Sequence, residues 1–222
     1  MRAPSHDFSE PARLDLIGDA WVDYDPHFLS DDSATAMMTG LIAEHDWEAR
    51  NLRVMGKVVT QPRLMAWAGD VPYHYSGQTL FPREPGPILR GLWNSVEARE
   101  NETFKHVVIN YYRDGADNVG MHADDEPELG QNPTIVAVSL GAKRRFVLER
   151  KRKPRGEPRT SIWLGHGSYM VMGGTLQHTW RHALPKVKGE CGPRLNITFR
   201  NLLRAPPERI LARSRERQAE GL

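Results

Sequence analysis

The chain has 222 residues, a length for one domain with trimmings or two small ones, and its 39% hydrophobic and 26% charged residues are the balance of an ordinary globular protein. With 30 Lys and Arg against 28 Asp and Glu, the net charge of +2 is too small by itself to imply a nucleic-acid partner. No apolar run approaches the ~18–20 residues of a membrane span, and the start, MRAPSHDFSEPAR, lacks the apolar core of a signal peptide.

Residues 1–18 read as a flexible lead. The polar cluster Ser30 to Ser33 caps a helix whose spaced residues Ala34, Met37, Met38, Leu41 and Ile42 carry it to about His45. A second helix follows Pro87, with Ile88, Leu89, Leu92, Trp93 and Val96 as its apolar stripe, and ends near Glu100. From there the pattern turns to strands: Phe104 to Tyr112, Thr134 to Leu140, Arg145 to Glu149, Ser168 to Met172 and Arg194 to Arg200. Turn signals such as Asp114-Gly115, Asn132-Pro133, Gly173-Gly174 and Gly192-Pro193 separate them. Short strands with frequent turns predict a mainly β, α+β fold, a sandwich or jelly roll with the two helices on one outer face. The Arg- and Glu-rich tail, 205–222, reads as a frayed helix or a mobile end. Cys191, the single cysteine, rules out an intrachain disulfide and fits a reducing compartment.

Three stretches carry chemistry. In His122-Ala123-Asp124, residues two apart in an extended segment point to one side, about 6–7 Å apart at Cα. An imidazole and a carboxylate so placed can close on one metal ion; the same pair also reads as a loop ion pair. In Arg194 to Arg200, strict alternation puts Arg194, Asn196, Thr198 and Arg200 on one face and Leu195, Ile197 and Phe199 on the other. Two arginines on one face make a dicarboxylate pocket, or a polar face turned to water. In Trp180 to Pro185, His182 can supply a third ligand, with His178 as its rival. Two histidines and a carboxylate with open positions form the facial triad of non-haem Fe(II) oxygenases.

From about Arg53 to Leu203 the chain resembles the AlkB family of Fe(II)/2-oxoglutarate dioxygenases, its DNA-repair branch in particular. The resemblance rests on PRLMAWAGD with PYHYSG, INYYRDGADNVGMHADDE, VSLGAKRRFVL, HGSYMVM, WRHALP and PRLNITFR, in that order. It implies a double-stranded β-helix (jelly-roll) domain over 19–204, with a nucleotide-recognition lid about 50–82 and a core about 103–204. It implies iron on His122, Asp124 and His182, the last because it precedes the Leu-Pro step. It implies 2-oxoglutarate against Asn110, Tyr112, Arg194, Asn196, Thr198 and Arg200, with O2 as the other cosubstrate. Hydroxylation of the methyl group of 1-methyladenine or 3-methylcytosine would then release formaldehyde and succinate.

Such a base has to leave the stack to react. Tyr73 and Tyr75 match the family's aromatic lid, and Asp125 a residue that meets the exocyclic amine, with Glu126 beside it; ordinary packing and exposed loop charge are the plain alternatives. From Lys143 to Arg159 the sequence carries nine Lys or Arg against two Glu, a basic band suited to phosphates or to a solvated hairpin tip. Lys57 is a further phosphate candidate. Met55 stands where duplex-acting relatives carry an aromatic wedge; methionine can wedge too, or pack in a core. The expected partner is DNA with alkylated bases, RNA being admissible, and the expected state a monomer in the cytoplasm (the nucleus in a eukaryote). The competing readings are the same chemistry on RNA or another alkylated molecule, and a metal-free nucleic-acid-binding β-module.

Overall fold

A computed structural model describes residues 4–54, 57–75 and 77–219. Two sheets form its body. The smaller runs β1 (Ser5–His6), β13 (Thr160–Leu164), β12 (Arg144–Arg150), β15 (Trp180–Leu184) and β10 (Val119–His122). The larger runs β2 (Ala12–Leu16), β3 (Ala20–Asp25), β14 (Ser168–Gly174), β11 (Ile135–Gly141), β16 (Arg194–Arg200), β9 (His106–Tyr112) and β6 (Leu64–Gly69). Two hairpins, β4–β5 (Asn51–Val54, Lys57–Thr60) and β7–β8 (Tyr73–Tyr75, Gln78–Leu80), stand apart from both. This is the jelly-roll core that the strand run and the resemblance predict.

Period-two alternation decides what each face does. On the larger sheet, Leu195, Ile197 and Phe199 join Val136, Val138, Val107 and Ile109 against two helices, α1 (Asp31–Glu44) and α2 (Pro87–Glu100). Trp93 of α2 meets Phe199 edge-on, ring centroids 6.0 Å apart. The opposite face of that sheet looks across at Phe146, Leu148, Ile162 and Leu164 of the smaller one. Ser30 caps α1 by accepting from the Ser33 N–H. Pro87 opens α2, where its missing N–H costs nothing, and Asn101 ends it at φ 52°.

Residues 4–18 are not a flexible lead. β1 pairs with β13 and β2 with β3. Arg13 grips Asp23 through two hydrogen bonds of 2.6 Å, and Phe8, Leu14 and Leu16 pack on the inter-sheet core. Polar alternate positions hid these strands in the sequence. The tail also takes a defined place. A fourth helix, α4 (Glu208–Ala219), follows a four-residue helix α3 (Leu176–Thr179) in chain order and buries Leu211. Ser214 Oγ lies 2.7 Å from Thr79 Oγ1 on β8, so α4 docks on the β7–β8 hairpin. No helix among the described residues is long and apolar enough to cross a membrane.

Candidate functional site

The loop 113–118 delivers β10. Asp117 accepts from the backbone N–H, Nε and Nη2 of Arg113 at 2.8–2.9 Å, and Asp114 turns the chain by accepting from the Ala116 N–H. Arg144, expected in the basic phosphate band, is fully buried instead. It donates to the carbonyls of Asp114, Asp117 and Pro185 and ties this loop to the end of β15. Its surface role is thereby corrected: Arg144 shares the inward face of β12 with Phe146 and Leu148.

β10 and β15 are antiparallel neighbours, and His122 pairs with His182 across them. Their rings meet edge-on at 4.3 Å, with Phe146 stacked on His182 at 5.2 Å. His122 Nδ1 donates to the Gly120 carbonyl at 2.9 Å, which fixes the tautomer and leaves Nε2 with its lone pair. Asp124 follows two residues beyond the end of β10. Its N–H donates to Gln177 Oε1 at 3.0 Å, and its Oδ1 accepts from Arg200 Nη2 at 2.9 Å. The ligand-type atoms of His122, Asp124 and His182 lie within 4.8 Å of one another. His178 stands outside this cluster: it is exposed, and its Nε2 accepts from the Asn132 N–H.

The electrostatics suit a divalent ion. Burial alone would raise the Asp124 carboxyl, but Arg200, His182 and His122 hold it down at about 2. Burial lowers both imidazoles, His182 to about 3, with Arg200 pushing the same way and Asp124 opposing. Two neutral imidazoles and an ionised carboxylate are the protonation states that metal ligation requires.

A cavity of about 550 Å³ opens between the sheets, lined by all three of these residues. Its far wall is the polar face of β16, and Asn110, Tyr112, Arg194, Asn196, Thr198 and Arg200 all line it. The strand register explains the grouping: Arg194 sits beside Tyr112, and Asn196 beside Asn110. Arg194 donates to Ser139 Oγ at 2.8 Å, and Asn196 Nδ2 to Thr198 Oγ1 at 2.7 Å. Burial, with Arg144 nearby, lowers Arg194 to about 10. Nε and Nη1 of both Arg194 and Arg200 make no hydrogen bond among the described residues. Buried guanidinium donors are expensive to leave unmet. A dicarboxylate in the cavity is the group that fits them, and the histidine–carboxylate cluster beside it fits an iron ion with open positions.

Tyr73 and Tyr75 also line the cavity, their rings stacked at 5.4 Å. Tyr73 donates to Glu126 Oε2 at 2.9 Å. Burial and the Asp124 charge push the Glu126 carboxyl up to about 7, against Arg200. Asp125 is not brought into the cavity: it is exposed, and Lys151 holds it in an ion pair of 2.5 Å. Successive residues of an extended segment point to opposite sides, so with Asp124 and Glu126 turned inward Asp125 faces out. Met55 lies outside the described residues, and Lys57 is described by its backbone alone, at the start of β5. The basic band is largely self-paired: Arg150 with Glu157, Lys153 and Arg159 with Glu149. Arg152 and Arg155 stay exposed with no acidic partner among the described residues.

Sequence reasoning missed four contributors. Arg63 donates to Asn110 Oδ1 at 2.6 Å, inside the cavity. Ser139 braces Arg194, Gln177 braces Asp124, and Gln61 lines the cavity beside Tyr75. Arg63 and Gln61 sit in the quoted stretch around PRLMAWAGD, but no periodicity separates them from their neighbours.

A family model described as the 2OG-Fe(II) oxygenase superfamily matches residues 22–200. The chain is similar to alpha-ketoglutarate-dependent dioxygenase alkB homolog 3 of Homo sapiens, 36% identical over 188 residues that cover 82% of this chain and 66% of that protein. It is also similar to DNA oxidative demethylase ALKBH2 of Homo sapiens, 38% identical over 159 residues, 68% of this chain and 61% of that one. The chain therefore spans just under two thirds of the length of these curated relatives. Among solved structures, that of OsALKBH1 superposes with a TM-score of 0.60 at 13% identity, covering 86% of this chain and 100% of that one, a likeness of fold.

Proposed function

The chain belongs to the AlkB family within the 2OG-Fe(II) oxygenase superfamily, and from that premise we propose that it is an oxidative demethylase of N-methylated nucleobases in DNA. The single observation that carries the reading is one cavity lined at once by the His122–Asp124–His182 cluster and by two buried arginines with unmet N–H groups. A metal-free binding module has no use for that combination.

In this reading His122, Asp124 and His182 would hold Fe(II). Arg194, braced by Ser139 and flanked by Tyr112, takes the distal carboxylate of 2-oxoglutarate, and Asn196 and Thr198 complete the wall. When bound, iron with 2-oxoglutarate and O2 supplies the oxidation that hydroxylates a methyl group, giving succinate, carbon dioxide and, from the hydroxymethyl product, formaldehyde. Arg200 keeps Asp124 ionised. Tyr73 and Tyr75 give the extruded base an aromatic surface. Glu126, held beside the cavity by Tyr73 and raised to about 7, gains its negative charge more readily next to a base made cationic by methylation, as 1-methyladenine and 3-methylcytosine are. Phosphate contact falls to the exposed cations of the β12–β13 hairpin that have no acidic partner among the described residues, Arg145, Arg152 and Arg155.

The test is anaerobic loading with Fe(II) and 2-oxoglutarate, then O2 and methylated oligonucleotides. Succinate formed in step with lesion loss is the expected result. Turnover on RNA with none on single- or double-stranded DNA would remove the DNA assignment; no turnover on either would remove the demethylase reading.

A further inference from the structure

One polar group of the cavity is used neither by the metal cluster nor by the dicarboxylate wall. Gln61 is 4% exposed and lines the cavity, yet neither Nε2 nor Oε1 of its amide makes a hydrogen bond among the described residues. Its neighbour there, the Tyr75 hydroxyl, donates to the sulfur of Met65 at 3.2 Å; the Gln61 amide lies close enough to oppose the rise that burial gives the Tyr75 phenol, but forms no well-aligned bond with it. A buried amide that lacks well-formed hydrogen bonds is a standing cost to the fold of about 1–3 kcal/mol. It persists where a ligand supplies the missing bonds.

The backbone that carries this amide is fixed on both sides. The Gln61 N–H donates to the Arg50 carbonyl at 2.8 Å, and the Pro62 carbonyl accepts from the Asn118 N–H at 3.1 Å. The amide is therefore presented from a set position, as a recognition group has to be. It is neutral and offers a donor beside an acceptor. That does not match a dicarboxylate, which only accepts. It matches the edge of a nucleobase.

Among base edges, the carboxamide of Gln pairs in two bonds with N6 and N7 of adenine. A methyl on N1 lies on the pairing edge, which has to face the metal cluster. N6 and N7 lie on the adjoining edge and remain free for the cavity wall. Cytosine has no N7. We propose that Gln61 reads the N6–N7 edge of an extruded adenine, donating from Nε2 to N7 and accepting at Oε1 from the N6 amino group. The site then takes 1-methyladenine in preference to 3-methylcytosine. This deepens the base-demethylation reading above and rests on it.

The test uses three oligonucleotides that differ only in the lesion: 1-methyladenine, 1-methyl-7-deazaadenine and 3-methylcytosine. For the wild-type enzyme, removing N7 is expected to lower kcat/KM roughly ten-fold or more, the scale of a lost bidentate contact. Gln61→Leu should show a similar loss on 1-methyladenine, little further loss on the deaza lesion, and a much smaller loss on 3-methylcytosine. Such non-additivity marks a direct pairing. Equal losses on the two natural lesions, or a wild type indifferent to N7, would overturn the proposal.

Stability gives a second check. Replacing an unmet buried amide by an apolar side chain of similar size should leave the melting temperature unchanged or raised. A drop of several degrees with equal losses on all lesions would mean that Gln61 serves packing alone. Should Gln61→Leu not fold, Gln61→Glu presents no N–H to N7 and is expected to reproduce the loss. Fluorescence anisotropy of the same oligonucleotides without O2 separates the two readings. If no lesion is turned over, the demethylase reading fails; tighter binding of 1-methyladenine than of its deaza form, lost in Gln61→Leu, still upholds Gln61, and equal binding removes it.

Discussion

Replacing Arg200 by methionine tests whether the Asp124 carboxylate depends on one guanidinium. Both residues are buried, 7% and 5% exposed, and Arg200 Nη2 donates to Asp124 Oδ1 at 2.9 Å. Removing one partner of a buried pair leaves the other charge uncompensated and costs about 3–5 kcal/mol. For 222 residues the entropy of unfolding is about 0.5 kcal/mol per kelvin, so the melting temperature should fall by about 6–10 °C at pH 7. The sign of the pH dependence should also change. In the wild type Asp124 titrates at about 2, below the ~3.9 of an unfolded aspartate, so its contribution is present above pH ~4 and is lost as pH falls toward 2. Without Arg200, burial lifts the carboxyl above its unfolded value. The variant then gains stability as pH falls from 7 to 5, and the gap to the wild type narrows. The measurement is a calorimetric melt in EDTA at pH 5 and 7, with Asp124→Asn and the double variant completing a cycle. The double variant should recover much of the loss. Melting within 2 °C of wild type at pH 7, or single effects that simply add, would refute the reasoning.

The other predictions concern the rest of the cluster and the chain's edges. Glu126 titrates at about 7 in the folded chain, above the ~4.3 of an unfolded glutamate, so the metal-free protein should lose stability, on the order of 3 kcal/mol, as pH rises through that window; Glu126→Gln should flatten the melting-temperature profile between pH 5 and 8, and an unchanged slope would count against it. In Co(II) titrations followed by visible absorption, His182→Ala should weaken binding by more than the ~10–100-fold that losing a supporting group costs, while His178→Ala, whose ring only accepts from the Asn132 N–H, should bind as wild type. Deleting residues 1–16 strips Phe8, Leu14 and Leu16 from the inter-sheet core and should lower the melting temperature by roughly 6 °C, at about 1 kcal/mol for each half-buried side chain; no change would restore the flexible-lead reading.

How much of this was legible follows from where periodicity is strong. The helices announce themselves by Ser30 and Pro87 and end where the apolar stripes end, and α1 and α2 fall on Asp31–Glu44 and Pro87–Glu100. β16 falls on Arg194–Arg200, because alternation with one wholly apolar face has a single register. The short strands were not legible: β10 is four residues with a glycine, and β1 is two. Only pairing with a partner far along the chain makes them strands. The residues 4–18 misled for the same reason, although Ala20, Val22 and Tyr24, all buried, carry a period-two signal from which β3 and its partner could have been suspected.

The site divides along the same line. What a strand face dictates was readable: Arg194, Asn196, Thr198 and Arg200 on one side, and Arg144 inward with Phe146, had the strand been started one residue earlier. What only three-dimensional closure dictates was not. His122 meets His182 because β10 and β15 are adjacent in the smaller sheet, and Arg200 reaches Asp124 because β16 lies across the cavity from β10. The same closure turns the polar face of β16 inward, where two arginines would be ruinous unless paired or awaiting a ligand. Arg200 has Asp124 as its partner; among the described residues Arg194 has only Ser139 and Asn196, both neutral. Of the two arginines on this face, Arg194 is therefore the one whose charge meets no carboxylate among the described residues, and it is the residue at which occupation of the cavity by a dicarboxylate should be felt most strongly as added stability.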